Sequence, residues 1–123
     1  MEQGPLQSYR DLRVWQEAMT LGEKCYRLTR EFPKEEIYGM TSQIRRSAAS
    51  VPANIAEGYG RGNRGEYIQF LRVAQGSLKE LETHVMLSQR VHLAPQPAFE
   101  EVLAQCVVVG KMLHALIRSL QKK

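Results

Sequence analysis

Apolar residues recur at alternating spacings of three and four along most of this chain, which is the pattern of amphipathic helices. The pattern is clearest over residues 64–91, where it persists for nearly three heptads: Tyr67, Leu71, Ala74, Leu78, Leu81 and Val85. It also predicts helices over residues 11–31, from Met40 to the glycines that begin at Gly58, and over 98–121. Four helices with short connections predict an all-α fold, an antiparallel up-down four-helix bundle.

Helix 1 carries more apolar residues than one core-facing stripe requires. We expect its core face to be Trp15, Met19, Gly22, Tyr26 and Thr29, a stripe that Ala18, Cys25 and Phe32 broaden. Further apolar residues lie off the main stripes of helices 1 and 4: Leu12, Leu21, Leu28, Leu103, Val107 and Ile117. A surplus of this kind predicts a second buried face and therefore self-association. The alternative is a single, wider core stripe.

Thr41 or Ser42 is a candidate N-cap for helix 2, and Asp11 is a candidate N-cap for helix 1.

Two residues, Pro52 and Gly76, interrupt the helical pattern. Pro52 lies inside helix 2, where it removes a backbone donor, so we expect one helix kinked there rather than two shorter helices. In helix 3, Gly76 beside a serine predicts close packing against another helix.

The 123 residues fit one domain, with residues 1–10 as a flexible N-terminal lead and 11–123 as the bundle. Cys25 and Cys106 stand apart without a metal-type spacing, so we interpret them as buried free thiols. No apolar run approaches the roughly 20 residues of a membrane span, and the N-terminus has no signal-peptide pattern. We therefore expect a cytoplasmic protein that does not enter a membrane.

The formal charge of +4 is unevenly distributed along the chain. Residues 37–79 carry six basic and two acidic side chains, residues 80–110 one basic and four acidic, and residues 111–123 four basic and none acidic. Such segregation favours a nucleic-acid surface, although solvation of helix surfaces explains it equally well. The first candidate set is Arg45, Arg46, Arg61, Arg64 and Arg72. The second is Lys111, Arg118, Lys122 and Lys123. One of the adjacent pair Arg45 and Arg46 is expected to lean toward Glu80 and the other toward solvent.

No residue pattern indicates catalysis, a cofactor or a metal site. Residues 60–65 match G-x-G-x-x-G, but no strand precedes them, so an interhelical turn is favoured over an anion site at the start of helix 3. The three histidines lack ligand spacing. Ser47 and Ser50 have no histidine base nearby in sequence and are expected to form hydrogen bonds or allow close packing. Tyr59 is a candidate base-stacking residue, although a packed aromatic is favoured. We therefore expect a protein that is not an enzyme.

Two segments, SQIRRSAASVPANIAEGYGR (42–61) and EYIQFLRVAQGSLKELETHV (66–85), resemble the four-helix-bundle family named for 23S rRNA intervening sequences. The resemblance extends to DLRVWQEAM, to the FP at 32–33 and to the GKMLHALIRSL ending. It implies a bundle that assembles into a homopentamer without enzymatic activity. The family is related in fold to accessory variability proteins of diversity-generating retroelements. For those relatives the resemblance implies binding to a reverse transcriptase and to nucleic acid through a basic surface.

Two functions compete on this basis. The first is a non-catalytic, homo-oligomeric bundle that binds RNA or DNA, with a role as reverse-transcriptase accessory factor. The second is a structural or protein-interaction scaffold without affinity for nucleic acid. The residues alone do not choose between them.

Overall fold

Four α-helices make up the computed structural model, which describes residues 6–122. They are α1 (Arg13–Arg30), α2 (Met40–Tyr59), α3 (Arg64–Arg90) and α4 (Gln96–Gln121), with one-turn 3-10 helices at Tyr9–Asp11 and Lys34–Glu36. No strand occurs among the described residues. The predicted all-α four-helix bundle is confirmed. The antiparallel arrangement and the kink at Pro52 stay predictions, but α2 does run through Pro52 as a single helix.

Each helix packs against two neighbours, so the four helices enclose one core. α2 lies between α1 and α3, and α4 contacts α3 and α1 on the other side. The largest fully buried side chains come from all four helices: Leu21, Ile44, Ile55, Leu71, Leu78, Leu81, Phe99 and Leu113. Burying such a side chain stabilises the fold by roughly 1.5–3 kcal/mol, so this shared core holds the bundle together.

The core face of α1 differs from the prediction by one residue along the sequence. The buried residues of α1 are Val14, Ala18, Leu21, Cys25, Leu28 and Thr29. Ala18, Cys25 and Thr29 belong to the predicted stripe. Met19 and Tyr26, which were predicted to be in the core, are 41% and 43% exposed. Two adjacent rows of α1 are both apolar, and a shift of one residue turns a helix face by about 100°. The structure buries the aliphatic row and leaves the row with Trp15, Met19 and Tyr26 at the edge.

The surplus apolar residues are therefore mostly core residues. Leu12, Leu21, Leu28 and Ile117 are buried, whereas Val107 is 52% exposed. The predicted wide core stripe accounts for the buried ones. The case for a second apolar face rests instead on the exposed row of α1.

The helix starts also differ from the sequence-based expectations. Asp11 does not cap α1 but closes the preceding 3-10 turn, where it accepts the backbone N–H groups of Gln7 and Ser8 at 2.9 and 3.2 Å. α2 starts at Met40, so Thr41 and Ser42 lie inside its first turn and do not cap it. The Glu36 carboxylate accepts the Met40 N–H at 3.1 Å. α4 starts two residues earlier than predicted, since a proline in the first helical turn forfeits no intrahelical bond.

α2 and α3 pack tightly at Gly58 but leave open space at Gly76. A Cβ added to Gly58 would lie 2.7 Å from the Phe70 Cβ, whereas one added to Gly76 would meet nothing within 4 Å. The prediction of close packing at Gly76 is therefore wrong. Its neighbour Ser77 does make an interhelical contact, a 2.7 Å hydrogen bond with Ser50 on α2.

A half-buried polar cluster joins α1 to α4. The Gln105 amide donates to the backbone carbonyl and a carboxylate oxygen of Glu17 at 2.9 and 2.8 Å, and Lys24 donates to Gln105 at 3.3 Å.

By length and hydropathy alone, α4 is the one helix among residues 6–122 that could cross a membrane. The core helices of globular bundles meet the same criterion, so the finding is weak evidence for membrane insertion.

Candidate nucleic-acid interface

Arg45, from the first candidate set, is occupied by contacts with α1 of its own chain. Its guanidinium lies 4.4 Å from the centre of the Tyr26 ring, and its Nε donates to the Thr29 hydroxyl at 2.9 Å. Both partners belong to α1, so the expected approach to Glu80 is wrong. Arg46 is exposed and donates to Gln43 within α2 at 3.2 Å. The adjacent arginines therefore do not act as a pair.

Arg61 is neutralised by its neighbours. It pairs with Glu57, four residues earlier in the chain, at 3.3 Å and with Glu66 at 3.7 Å. Its guanidinium also lies 4.8 Å from the centre of the Phe70 ring. Two carboxylates and an aromatic face leave this arginine little free charge for a ligand. The first candidate set is thus not one surface.

A groove between α3 and α4 brings together residues from both candidate sets. Arg72 and Lys79 line it from α3, and Lys111 and His114 line it from α4. The groove has a volume of about 730 Å³. Its only acidic lining residue among those described is Glu82, which pairs with Lys79 at 3.3 Å.

The basic residues continue along α4 toward its C-terminal end. Lys111, Arg118 and Lys122 are all exposed, and at 100° per residue they fall within about 40° of one another around the helix. Arg64, at the start of α3, donates to the backbone carbonyl of Leu120 at 3.4 Å, which places it beside this end of α4. Lys123, the last member of the second set, lies outside the described residues.

We refer to six residues as the basic face: Arg64, Arg72 and Lys79 of α3, Lys111 and Arg118 of α4, and Lys122, which directly follows α4. The structure joins Lys111, Arg118 and Lys122 of the second candidate set to Arg64 and Arg72 of the first. Lys79 was missed by the sequence analysis, although it follows Arg72 by one heptad and so lies on the same side of α3. That spacing was the available signal.

The glycine-containing segment at 60–65 is an interhelical turn. Gly62 adopts a φ of 82°, which favours glycine. The Asn63 side chain caps α3 by accepting the Glu66 N–H at 2.8 Å. The cap and the acidic Glu66 occupy the position that an anion would take at this helix start. The segment therefore connects two helices and does not form a dinucleotide site.

Nucleophilic side chains are engaged in the fold. Ser47 donates to the Gln43 carbonyl at 2.8 Å and Ser50 bonds Ser77, as expected for residues that support packing. Burial raises the pKa of the Cys25 and Cys106 thiols to about 12. Both thiols therefore remain protonated at neutral pH and are weak nucleophiles.

Tyr59 packs against its own chain. Its ring meets Tyr67 edge-on, with the ring centres 6.0 Å apart. Burial raises the pKa of the Tyr67 hydroxyl to about 12. The packed interpretation of Tyr59 thus matches the structure better than base stacking.

Among residues 6–122, no group of three or more His, Cys, Asp or Glu side chains could hold a metal ion.

Comparison with known proteins adds a family match and a structural match. A family model described as 23S rRNA-intervening sequence protein matches residues 10–115. A crystal structure of a protein of unknown function from the S23 ribosomal protein family, from Bacteroides thetaiotaomicron, superposes with a TM-score of 0.76 at 22% sequence identity. The match covers 85% of this chain and 97% of that one, and at this identity it shows the fold alone. No curated protein matches the chain.

Proposed function

The chain belongs to the 23S rRNA-intervening sequence protein family, and we propose that it is a non-catalytic, homo-oligomeric bundle that binds RNA or DNA through the basic face. The proposal also includes a role as accessory factor of a reverse transcriptase, which is the role that the resemblance implies for the retroelement relatives. The pentameric assembly that the resemblance implies is part of the same proposal.

The observation that carries the nucleic-acid proposal is the set of unneutralised charges on the basic face. Arg72, Lys111 and Lys122 form no ion pair with any residue among 6–122, and only Lys79 of the six has a carboxylate partner there. Arg61, by contrast, has two carboxylate partners. Unpaired cations from two adjacent helices can release counterions from a phosphate backbone, which drives non-specific nucleic-acid binding.

The lining of the α3–α4 groove indicates which part of a nucleic acid would be contacted. The described lining residues include no Tyr, Trp or Phe, and their one aromatic ring is the imidazole of His114; small and aliphatic residues such as Gly76 and Gly110 also line the groove. One imidazole beside the cations Arg72, Lys79 and Lys111 offers little area for base stacking, so we expect most contacts to go to phosphates. We therefore expect binding that depends strongly on salt and weakly on sequence.

The experiment is fluorescence anisotropy of labelled RNA and DNA of equal length, titrated with protein across a salt series. The perturbed variant is Lys111→Glu, and the matched control is Arg46→Glu, which reverses one exposed charge on α2, outside the groove lining. We expect Lys111→Glu to weaken binding markedly and to lower the slope of log K against log salt by about 0.7–0.9 for each phosphate that is no longer neutralised. The control should change both much less.

Three results would contradict the nucleic-acid proposal: no binding at low salt, equal losses of affinity in both variants, or a salt slope unchanged by Lys111→Glu. The first of these favours the scaffold alternative, in which the protein contacts only other proteins. The accessory role is tested separately by pull-down of a purified reverse transcriptase with the immobilised protein. We expect the wild-type protein to retain the enzyme, and a failure to retain it would contradict that part of the proposal.

A further inference from the structure

The exposed apolar row of α1 forms one wall of a groove against α2. Trp15, Met19 and Tyr26 line the α1 side, and small residues including Ala49 and Ala53 line the α2 side. The groove has a volume of about 680 Å³, which is in the range of ligand and side-chain binding sites. Large apolar side chains beside a floor of alanines offer a concave surface that the chain itself does not fill.

One end of this groove is basic. Arg27 and Arg30, in the last turn of α1, line it and are exposed, and neither forms an ion pair with a residue among 6–122. Glu23 is the one acidic residue in the described lining. A segment that enters the groove should therefore combine an apolar tip with a nearby carboxylate.

The connection between α1 and α2 has these two properties. Ile37 and Tyr38 are 49% and 95% exposed, and Tyr38 is the most exposed large apolar side chain among the described residues. Glu35, immediately before them, is exposed and forms no ion pair with a described residue. Backbone bonds from Ile37 N–H to the Lys34 carbonyl, at 3.1 Å, and from Gly39 N–H to the Glu36 carbonyl, at 2.9 Å, hold the turn in shape. Tyrosine is enriched where protein interfaces are fully buried.

We propose that the Ile37–Tyr38 tip of a second copy of this chain inserts into the α1–α2 groove, with its Glu35 beside Arg27 and Arg30. The tip does not line the groove of its own chain. Tip and groove are different patches of one molecule, so the contact is heterologous and closes into a ring when the rotation between copies permits. The inference rests on the self-association part of the proposed function and supplies its contact surfaces.

The first test is the oligomer mass by light scattering over a concentration series. The perturbed variant is Tyr38→Ser, and the matched control is Val73→Ser, a 47% exposed apolar residue on α3. Both side chains are on the surface, so the folded chain tolerates either change. We expect wild type and control to form the same oligomer, and Tyr38→Ser to weaken its assembly by about 30-fold, as for an interface hot spot. Trp15, the one tryptophan of the chain, provides a second signal. Its fluorescence should change with concentration in wild type, and the same change should require about 30-fold higher concentration in Tyr38→Ser.

The second test identifies the occupant by exchange of charges. Arg27→Glu with Arg30→Glu should weaken the oligomer, and adding Glu35→Arg to that variant should restore it. Restoration requires that the two patches meet in the assembly. An anionic small molecule or a nucleic acid in the groove would not produce it.

The outcomes separate this inference from the proposed function. Wild-type protein that stays a single chain at all concentrations overturns both the tip-in-groove contact and the self-association. An oligomer unaffected by Tyr38→Ser overturns the contact alone. If Arg27→Glu with Arg30→Glu abolishes RNA binding but leaves the oligomer intact, the groove takes nucleic acid and the inference is wrong. The nucleic-acid proposal is tested independently by Lys111→Glu.

Discussion

Gly58→Ala and Gly76→Ala should change the stability of the protein in opposite directions. Both glycines lie inside helices, where alanine is favoured by up to about 1 kcal/mol. At Gly76 the added Cβ meets nothing within 4 Å, so the full gain is expected. At Gly58 the added Cβ would lie 2.7 Å from the Phe70 Cβ and 3.2 Å from Tyr67.

The clash at Gly58 cannot be relieved by a rotamer change, because the Phe70 Cβ is fixed to the α3 backbone. The two helices must move apart, and overpacking of this kind typically costs about 1–3 kcal/mol. After the gain in helix propensity, Gly58→Ala should be less stable than wild type by about 1 kcal/mol. It should be less stable than Gly76→Ala by about 2 kcal/mol.

The measurement is urea unfolding followed by circular dichroism at one fixed protein concentration, since association would shift the midpoint. Gly58→Ala should lower the midpoint, Gly76→Ala should raise it, and the slope m should stay unchanged. If Gly58→Ala is as stable as Gly76→Ala, then α2 and α3 do not approach each other closely at Phe70.

Three further predictions concern single contacts. Asn63→Ala removes the α3 cap and should lower the free energy of unfolding by about 0.5–2 kcal/mol in the same urea assay, whereas Asn63→Ser should preserve it. Gln105→Ala removes the link between α1 and α4 and should cost about 1–3 kcal/mol; an unchanged midpoint would contradict its hydrogen bonds to Glu17. Burial raises the pKa of Cys25 and Cys106 to about 12 from an ordinary value of 9. The folded protein therefore retains protons that the unfolded chain releases above pH 9. The resulting stabilisation should be present below about pH 9 and decline up to about pH 12, and a Cys→Ala variant of either thiol should show a smaller decline.

Helix count and position were predictable because each helix repeats its apolar spacing over several turns. The bounds of α2 and α3 follow the sequence closely, since glycines and Asn63 mark the turn between them. The core row of α1 was not predictable from period alone. Val14, Leu21 and Leu28 form one apolar row and Trp15, Met19 and Tyr26 form the next. Which row faces inward depends on what α2 and α4 present to it, and that information is not local in sequence.

The candidate binding surface was predicted only in part, for a related reason. Arg45, Arg61 and Arg72 are neighbours along the chain, and for that reason they were predicted to share one surface. A charge remains available to a ligand only if the fold leaves it unpaired, and the fold pairs Arg61 with two carboxylates and places Arg45 against Tyr26. The same fold sets the second half of α4 beside the first half of α3, where Arg72 and Lys111 line one groove.

The two surfaces differ in chemistry in a way that assigns them different partners. The α3–α4 groove is basic and has no Tyr, Trp or Phe among its described lining, which suits phosphates. The α1–α2 groove is apolar and aromatic with a short basic end, which suits a side chain with a flanking carboxylate. They lie on different helix pairs, so one can be occupied by a second copy while the other stays open.

If both proposals hold, assembly would repeat the basic face once per copy. Nucleic-acid affinity would then rise with assembly through multivalency, and Tyr38→Ser would weaken RNA binding without touching a basic residue. An affinity unchanged in Tyr38→Ser, measured where wild type is assembled, would contradict this coupling.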